Sequence, residues 1–137
     1  MSFQSNYSGY RLKHKRELSS WIKSAIETEK LMCGTITIVL CSDDQLLEVN
    51  RQFLQHDYYT DIITFQYTDN QKVSGDLMIS LDRVIENART FKVSTEKELH
   101  RVMIHGVLHL CGYKDKRKTD KELMTKKENT YLRKLVL

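Results

Sequence analysis

Two histidines four residues apart, His105 and His109, are the residues of this sequence best suited to chemistry. On a helix, residues at positions i and i+4 lie on one face with Cβ atoms about 6 Å apart, so both imidazoles can bind one metal ion. Gly112 ends such a helix soon afterwards, which lets the chain turn back and brings Asp115 within reach of the same point. Two imidazole nitrogens and one carboxylate oxygen leave a coordination position open, which is typical of catalytic zinc sites.

The same residues have a simpler interpretation, in which two partly buried histidines are satisfied by hydrogen bonds and Asp115 pairs with Lys114 or Lys116. The short segment after the helix favours the metal site over this alternative. An HxxxH pair also occurs in zinc peptidases, where a glutamate directly follows the first histidine and acts as the base. Gly106 holds that place here, so hydrolysis would depend on the metal itself or on a base elsewhere.

Basic residues surround the candidate site. Lys114, Lys116 and Arg117 flank its carboxylate, and Arg101 lies one helical turn before its first histidine. A run of charge is usually a solvated loop, but beside an open metal site it suits a substrate that carries phosphates. The formal net charge of +4 permits binding to a polyanion without requiring it. We therefore predict that these four residues contact the substrate.

Hydrophobic periodicity predicts the elements that position these side chains. Helices are predicted over 11–31, 43–54, 81–91, 95–111 and 119–135, and strands over 35–40, 61–67 and 73–79. Three helix starts carry capping boxes, namely Ser42 with Gln45, Thr95 with Glu98, and Thr119 with Glu122. The order αβαββααα, with the last two strands joined by a short polar turn, predicts an α+β fold in which helices pack on a small mixed sheet.

The helix that carries His105 and His109 is apolar around most of its circumference, which predicts that it is buried at the centre of the fold. Asp61 or Asp76 could accept a hydrogen bond from an imidazole N–H, although their positions at strand ends favour a local role. His100 has no supporting constellation and is predicted to be a packing or surface residue.

Length and composition restrict the class of protein. The 137 residues contain no proline, low-complexity tract or repeat, so we predict one domain over residues 1–137. No apolar run is long enough to span a membrane, and the polar N-terminus lacks the layout of a secretory signal, which predicts a cytoplasmic protein without a membrane partner. The three cysteines lack a CxxC spacing, which predicts free thiols rather than disulfides.

Four stretches of the sequence resemble one known family. The segment His105-Gly-Val-Leu-His109-Leu-Cys-Gly-Tyr113, followed by an acidic residue and a helix with Met124 and Glu128, is similar to the signature of the YbeY family. Three further stretches match that family in order and spacing: Val49-Asn50, 60–65 and 75–80. The resemblance therefore runs from about residue 35 to the C-terminal helix.

This resemblance implies a single-strand-specific, metal-dependent endoribonuclease that matures the 3′ end of 16S ribosomal RNA and acts in ribosome quality control. It implies one divalent metal ion, zinc, held by His105, His109 and Asp115, which are catalytic through that metal. The expected partners are single-stranded RNA, ribosomal RNA and the ribosome, with no DNA expected and no oligomeric state implied.

The sequence departs from the family at two positions. The third ligand is usually histidine, whereas Asp115 takes that place here, and a harder carboxylate ligand can shift metal preference toward iron or manganese. An arginine that often follows the family's Leu-Asn stretch aligns with Leu54, and Arg51 or His56 could substitute for it.

The missing arginine keeps a second hypothesis open, which is a ribosome- or RNA-associated binding factor with a structural or vestigial metal site. Iron oxygenases also use two histidines and a carboxylate, but the predicted elements do not form their usual double-stranded barrel.

Overall fold

The computed structural model describes residues 1–137 and contains a four-stranded sheet and five helices. The strands are β1 (Ser2–Ser5), β2 (Met32–Cys41), β3 (Ile62–Gln66) and β4 (Lys72–Ser80). The helices are α1 (Lys15–Thr28), α2 (Asp43–Leu54), α3 (Leu81–Phe91), α4 (Thr95–Leu110) and α5 (Lys118–Lys134). The predicted α+β class is confirmed, and no helix has the length and apolar character needed to cross a membrane.

The sheet has the strand order β1-β2-β4-β3 and is mixed, as predicted. β1 and β4 run parallel to β2, whereas β3 pairs antiparallel with β4, in the predicted hairpin, and forms one edge of the sheet. β1 is absent from the predicted elements because its four residues are mostly exposed and carry no alternating apolar pattern. They join the sheet through backbone groups, from Ser2 opposite Thr37 to Ser5 opposite Leu40.

α4 lies at the centre of the molecule, in contact with the sheet and with α3 and α5. Ten of its 16 residues are buried, which confirms the predicted central helix. Its apolar side chains belong to a core cluster of 22 buried residues, and burial of each large side chain contributes about 1.5–3 kcal/mol. A Cβ atom at Gly106 would lie 2.6 Å from Cδ1 of Ile62 and 3.0 Å from Cδ2 of Leu77, so glycine allows α4 to approach the sheet closely.

Two of the three predicted capping boxes are wrong. α4 is capped by Ser94, whose Oγ accepts a hydrogen bond from a backbone N–H of the first turn at 3.1 Å, so the chain uses the residue before Thr95. α5 begins at Lys118 without a side-chain cap, which places the predicted cap Thr119 inside the helix. The box at Ser42 is confirmed.

The chain reverses direction immediately after α4. Gly112 adopts a φ of 107°, which confirms it as the left-handed residue that ends the helix. Its N–H donates to the carbonyl of His109 at 3.0 Å, and the N–H of Tyr113 donates to the carbonyl of Leu108 at 3.0 Å. This reversal directs the following residues back along the end of α4.

Candidate metal centre

The last turns of α4 place His105 and His109 side by side. Their Nε2 atoms are 3.0 Å apart, and their ring centroids are 4.6 Å apart with nearly perpendicular planes. Asp115 completes the group, with its Oδ2 3.3 Å from Nε2 of His105 and 3.2 Å from Nε2 of His109. The three predicted ligands therefore meet at one point and are all partly accessible to solvent.

The outer nitrogen of each imidazole has its own partner. Nδ1 of His105 lies 2.6 Å from Oε2 of Glu128, and Nδ1 of His109 lies 2.9 Å from the backbone carbonyl oxygen of Tyr113. A carboxylate and a carbonyl can only accept, so both Nδ1 atoms carry hydrogen and donate it. In the neutral imidazoles, both Nε2 atoms then present lone pairs toward each other.

This arrangement fits a metal ion. Two lone pairs 3.0 Å apart repel each other unless positive charge lies between them, and the carboxylate of Asp115 adds negative charge at the same point. Two imidazole nitrogens with one carboxylate oxygen form a donor set used for zinc and for iron(II). Three protein ligands leave room for water or substrate at the ion.

Glu128 of α5 orients His105, and the sequence indicated it only as part of the family signature. Its side chain is 8% exposed, and its second oxygen accepts a hydrogen bond from Nη1 of Arg101 at 3.0 Å. Nη2 of Arg101 donates to Oδ1 of Asn129 at 2.9 Å. Arg101, a predicted substrate contact, thus holds Glu128 in place while 37% of its own side chain stays exposed.

Acidic groups dominate the electrostatics around His105. Burial alone would lower the pKa of His105, but the hydrogen bond to Glu128 and the charges of Glu128, Asp115 and Asp61 raise it above the ordinary value. Burial raises the pKa of Asp61, against the opposing effect of the nearby imidazole. Asp61 contributes to this field but makes no hydrogen bond to an imidazole. Asp76 accepts a hydrogen bond from the hydroxyl of Tyr67 instead. Glu128 is therefore the carboxylate that orients an imidazole.

A second network holds the turn that orients His109. The hydroxyl of Tyr113 donates to Glu29 at the end of α1 at 2.5 Å, and the hydroxyl of Tyr131 donates to the same carboxylate. Lys127 adds a hydrogen bond of 3.1 Å. Burial would raise the pKa of Glu29, but these three donors lower it overall, so the carboxylate stays charged and fixes the carbonyl that faces His109.

The basic residues after α4 border the centre on its solvent side. Lys114, Lys116 and Arg117 are all exposed, whereas Asp115 between them is partly buried. The carboxylate of Asp115 faces the two imidazoles, and the exposed cationic side chains beside it are available to a phosphate-bearing ligand.

The position of the family arginine is Leu54, the last residue of α2. Leu54 is 40% exposed there. Arg51 pairs through Nε with Asp57 at 2.5 Å, and Nδ1 of His56 lies 3.0 Å from the hydroxyl of Tyr58. Both predicted substitutes are therefore engaged within their own segment.

A family model described as Endoribonuclease YbeY matches residues 3–136. The chain belongs to the YbeY family. A curated relative named Endoribonuclease YbeY from Parabacteroides distasonis is 55% identical over 118 residues, which cover 86% of this chain and 83% of that protein. A YbeY relative of the same name from Flavobacterium psychrophilum is 46% identical over 124 residues, which cover 90% and 89% of the two chains.

The fold also agrees with a solved structure. A solution structure of a Thermotoga maritima protein superposes with a TM-score of 0.68 at 29% sequence identity, covering 98% of this chain and 89% of that one. The resemblance to YbeY that the motifs indicated is therefore confirmed along nearly the whole chain, including α1, which lies before the matched motifs.

Proposed function

We propose that this chain is a metal-dependent endoribonuclease that cuts single-stranded RNA, matures the 3′ end of 16S ribosomal RNA and takes part in ribosome quality control in the cytoplasm. Membership of the Endoribonuclease YbeY family supports the nuclease class. The observation that carries the metal dependence is the convergence of three donor atoms, with the oxygen of Asp115 within 3.3 Å of both imidazole nitrogens. One domain over residues 1–137 performs this function.

We further propose that one zinc ion binds His105, His109 and Asp115. The two imidazoles, each held by a hydrogen bond from its Nδ1 atom, support zinc. The carboxylate of Asp115 makes iron(II) and manganese the competing ions. When bound, such an ion polarises a phosphoryl oxygen and lowers the pKa of a coordinated water.

The surrounding residues have separate roles in this proposal. Glu128 keeps the imidazole of His105 in one tautomer and orientation, so that its Nε2 stays directed at the centre. Lys114, Lys116 and Arg117 hold the phosphates of the RNA strand, and Arg101 adds positive charge on the α5 side. Binding should therefore weaken steeply with salt, by a log–log slope of about −0.7 for each phosphate contact made to a single strand.

A second candidate function is a ribosome- or RNA-associated binding factor in which the metal site is structural or vestigial. It is favoured by Leu54, an apolar residue at the place where the family often carries arginine. It predicts RNA or ribosome association that persists after the metal is removed.

The test compares wild type, His109→Ala and the control His14→Asn, which removes an imidazole from a partly exposed position elsewhere. We expect His109→Ala to lose bound metal and cleavage of a labelled single-stranded RNA while its circular dichroism spectrum remains that of wild type. The control should keep all three properties, because asparagine tolerates the left-handed conformation of residue 14. Cleavage that persists with an empty site would refute the enzyme proposal, and RNA binding without cleavage in the metal-loaded wild type would favour the binding factor.

A further inference from the structure

Exposed aromatic side chains are concentrated in one short segment. Five aromatic residues are exposed in the chain, and three of them lie between residues 53 and 59: Phe53 at 65%, Tyr58 at 55% and Tyr59 at 52%. We call these three residues the aromatic segment. Large rings left in water forgo the free energy of burial, so a cluster of them indicates a surface that receives a ligand.

The aromatic segment is held in a defined conformation. Asn50 is 1% exposed, and its Nδ2 donates to the backbone carbonyl of Tyr58 at 2.9 Å, while the backbone carbonyl of Asn50 accepts from the N–H of His56 at 3.1 Å. The ring of Tyr58 stacks on that of His56 with centroids 5.1 Å apart. Phe53 rests edge-on against Phe65 of β3 at 6.0 Å. One hydrogen bond from the buried side chain of Asn50 and one to its backbone thus fix the segment whose rings are exposed.

The aromatic segment leads directly into the residues that adjoin the candidate metal centre. Asp61 follows Tyr59 by two residues, a distance of at most about 7 Å along the chain, and its carboxyl group lies in the electrostatic field of His105 and Asp115. The side chain of the next residue, Ile62, faces α4 at Gly106, beside the first histidine. The aromatic segment is thus connected to the centre through Asp61, as the basic residues after α4 are connected to it through Asp115.

We propose that Phe53, Tyr58 and Tyr59 form a stacking platform for the unpaired bases of the RNA that is cut at the metal centre. This inference rests on the proposed function and adds a base-binding subsite to it. Stacking on tyrosine and phenylalanine needs only the flat face of a base, so it favours single strands and tolerates any sequence. The phosphates of the same strand bind the basic residues after α4. The aromatic segment thus recognises the bases of the RNA, and the basic residues recognise its backbone.

The test measures binding of a short fluorescent oligouridylate to metal-free protein by anisotropy, and KM and kcat for its cleavage by metal-loaded protein. We expect the double variant Tyr58→Leu/Tyr59→Leu to raise Kd and KM by about tenfold or more at unchanged kcat and metal content. The variant Tyr58→Phe/Tyr59→Phe keeps both rings and should bind like wild type. The control Tyr67→Leu removes a ring of similar exposure (61%) from beyond the far end of β3 and should have no effect.

A sugar–phosphate oligomer without bases separates stacking from charge. We expect wild type and the leucine variant to bind it equally, because it offers nothing to stack. Equal binding of the oligouridylate by wild type and the leucine variant, with cleavage intact, would overturn the platform alone and assign the rings to a protein partner. Absence of both binding and cleavage in wild type would overturn the platform together with the proposed function.

Discussion

Nδ1 of His105 and Oε2 of Glu128 are 2.6 Å apart, in a contact that joins α4 to α5 across 23 residues of sequence. The carboxylate is buried, and Arg101 binds its other oxygen. The imidazole is thereby fixed by charge as well as by packing, and its inner nitrogen is made a stronger donor to a metal ion. The metal site that we propose therefore depends on α5, which supplies none of its three ligands.

We expect Glu128→Gln to weaken metal binding by about 10- to 100-fold, because the amide lacks the charge that orients and polarises His105. The measurement is the zinc Kd from competition with a chromogenic chelator. Glu122→Gln, at an exposed position of the same helix, is the control. An unchanged Kd in Glu128→Gln would show that the carboxylate serves packing alone.

Asp115→His should change which metal is preferred. Exchange of a hard oxygen donor for an imidazole favours zinc over manganese, so we expect the ratio of the manganese Kd to the zinc Kd to rise by on the order of tenfold. Titration of the metal-free protein with each ion gives the two constants, and Asp69→His, on an exposed turn, is the control. A ratio that does not move would indicate that Asp115 is not a ligand.

Glu98→Gln should stabilise the protein near neutral pH. Glu98 is 6% exposed, and burial raises the pKa of its carboxyl above the ordinary 4.5, although Arg101 opposes the shift. Because the pKa of Glu98 is higher in the folded state than in the unfolded state, the folded state binds more protons. The stability of the wild type therefore falls as the pH rises from the unfolded pKa through the folded pKa of this carboxyl. We expect a gain of about 1 kcal/mol at pH 7, or about 4 °C in Tm, for the variant.

The gain from Glu98→Gln should disappear below about pH 4, where the wild-type carboxyl is protonated in both states. Thermal unfolding of wild type and Glu98→Gln between pH 4 and pH 7 measures how the difference in stability changes with pH. Glu27→Gln, at an exposed site, is the control. A difference that is constant with pH would mean that the charge of Glu98 is not the cause.

Gly106→Ala should loosen the contact between α4 and the sheet. The added methyl group meets Cδ1 of Ile62 at 2.6 Å, and overpacking of this kind costs about 1–3 kcal/mol. Ile62→Val removes that atom, so we expect the double variant to lose less stability than the two single variants lose together. Urea unfolding of all four proteins measures this coupling, and strict additivity would show that the clash lies elsewhere.

The sequence was sufficient to predict α4 and the three candidate ligands, because helical spacing and a terminal glycine determine where His105, His109 and Asp115 lie. The sequence was insufficient for features that depend on contacts between distant parts of the chain. His14 adopts the left-handed conformation, so α1 starts four residues later than its periodicity indicates. The partner of His105 could not be derived from local pattern either, since it depends on how α5 packs against α4.

Two of the three candidate ligands stand on a rigid, buried helix, whereas Asp115 belongs to the short segment between α4 and α5, with 41% of its side chain exposed. In the metal site that we propose, the helix therefore fixes two ligands and the short segment supplies the third. The carboxylate of Asp115 can turn outward without breaking a backbone hydrogen bond of α4, because Asp115 lies outside that helix. Substitutions around Asp115 can therefore change the third candidate ligand without disturbing the buried side of α4.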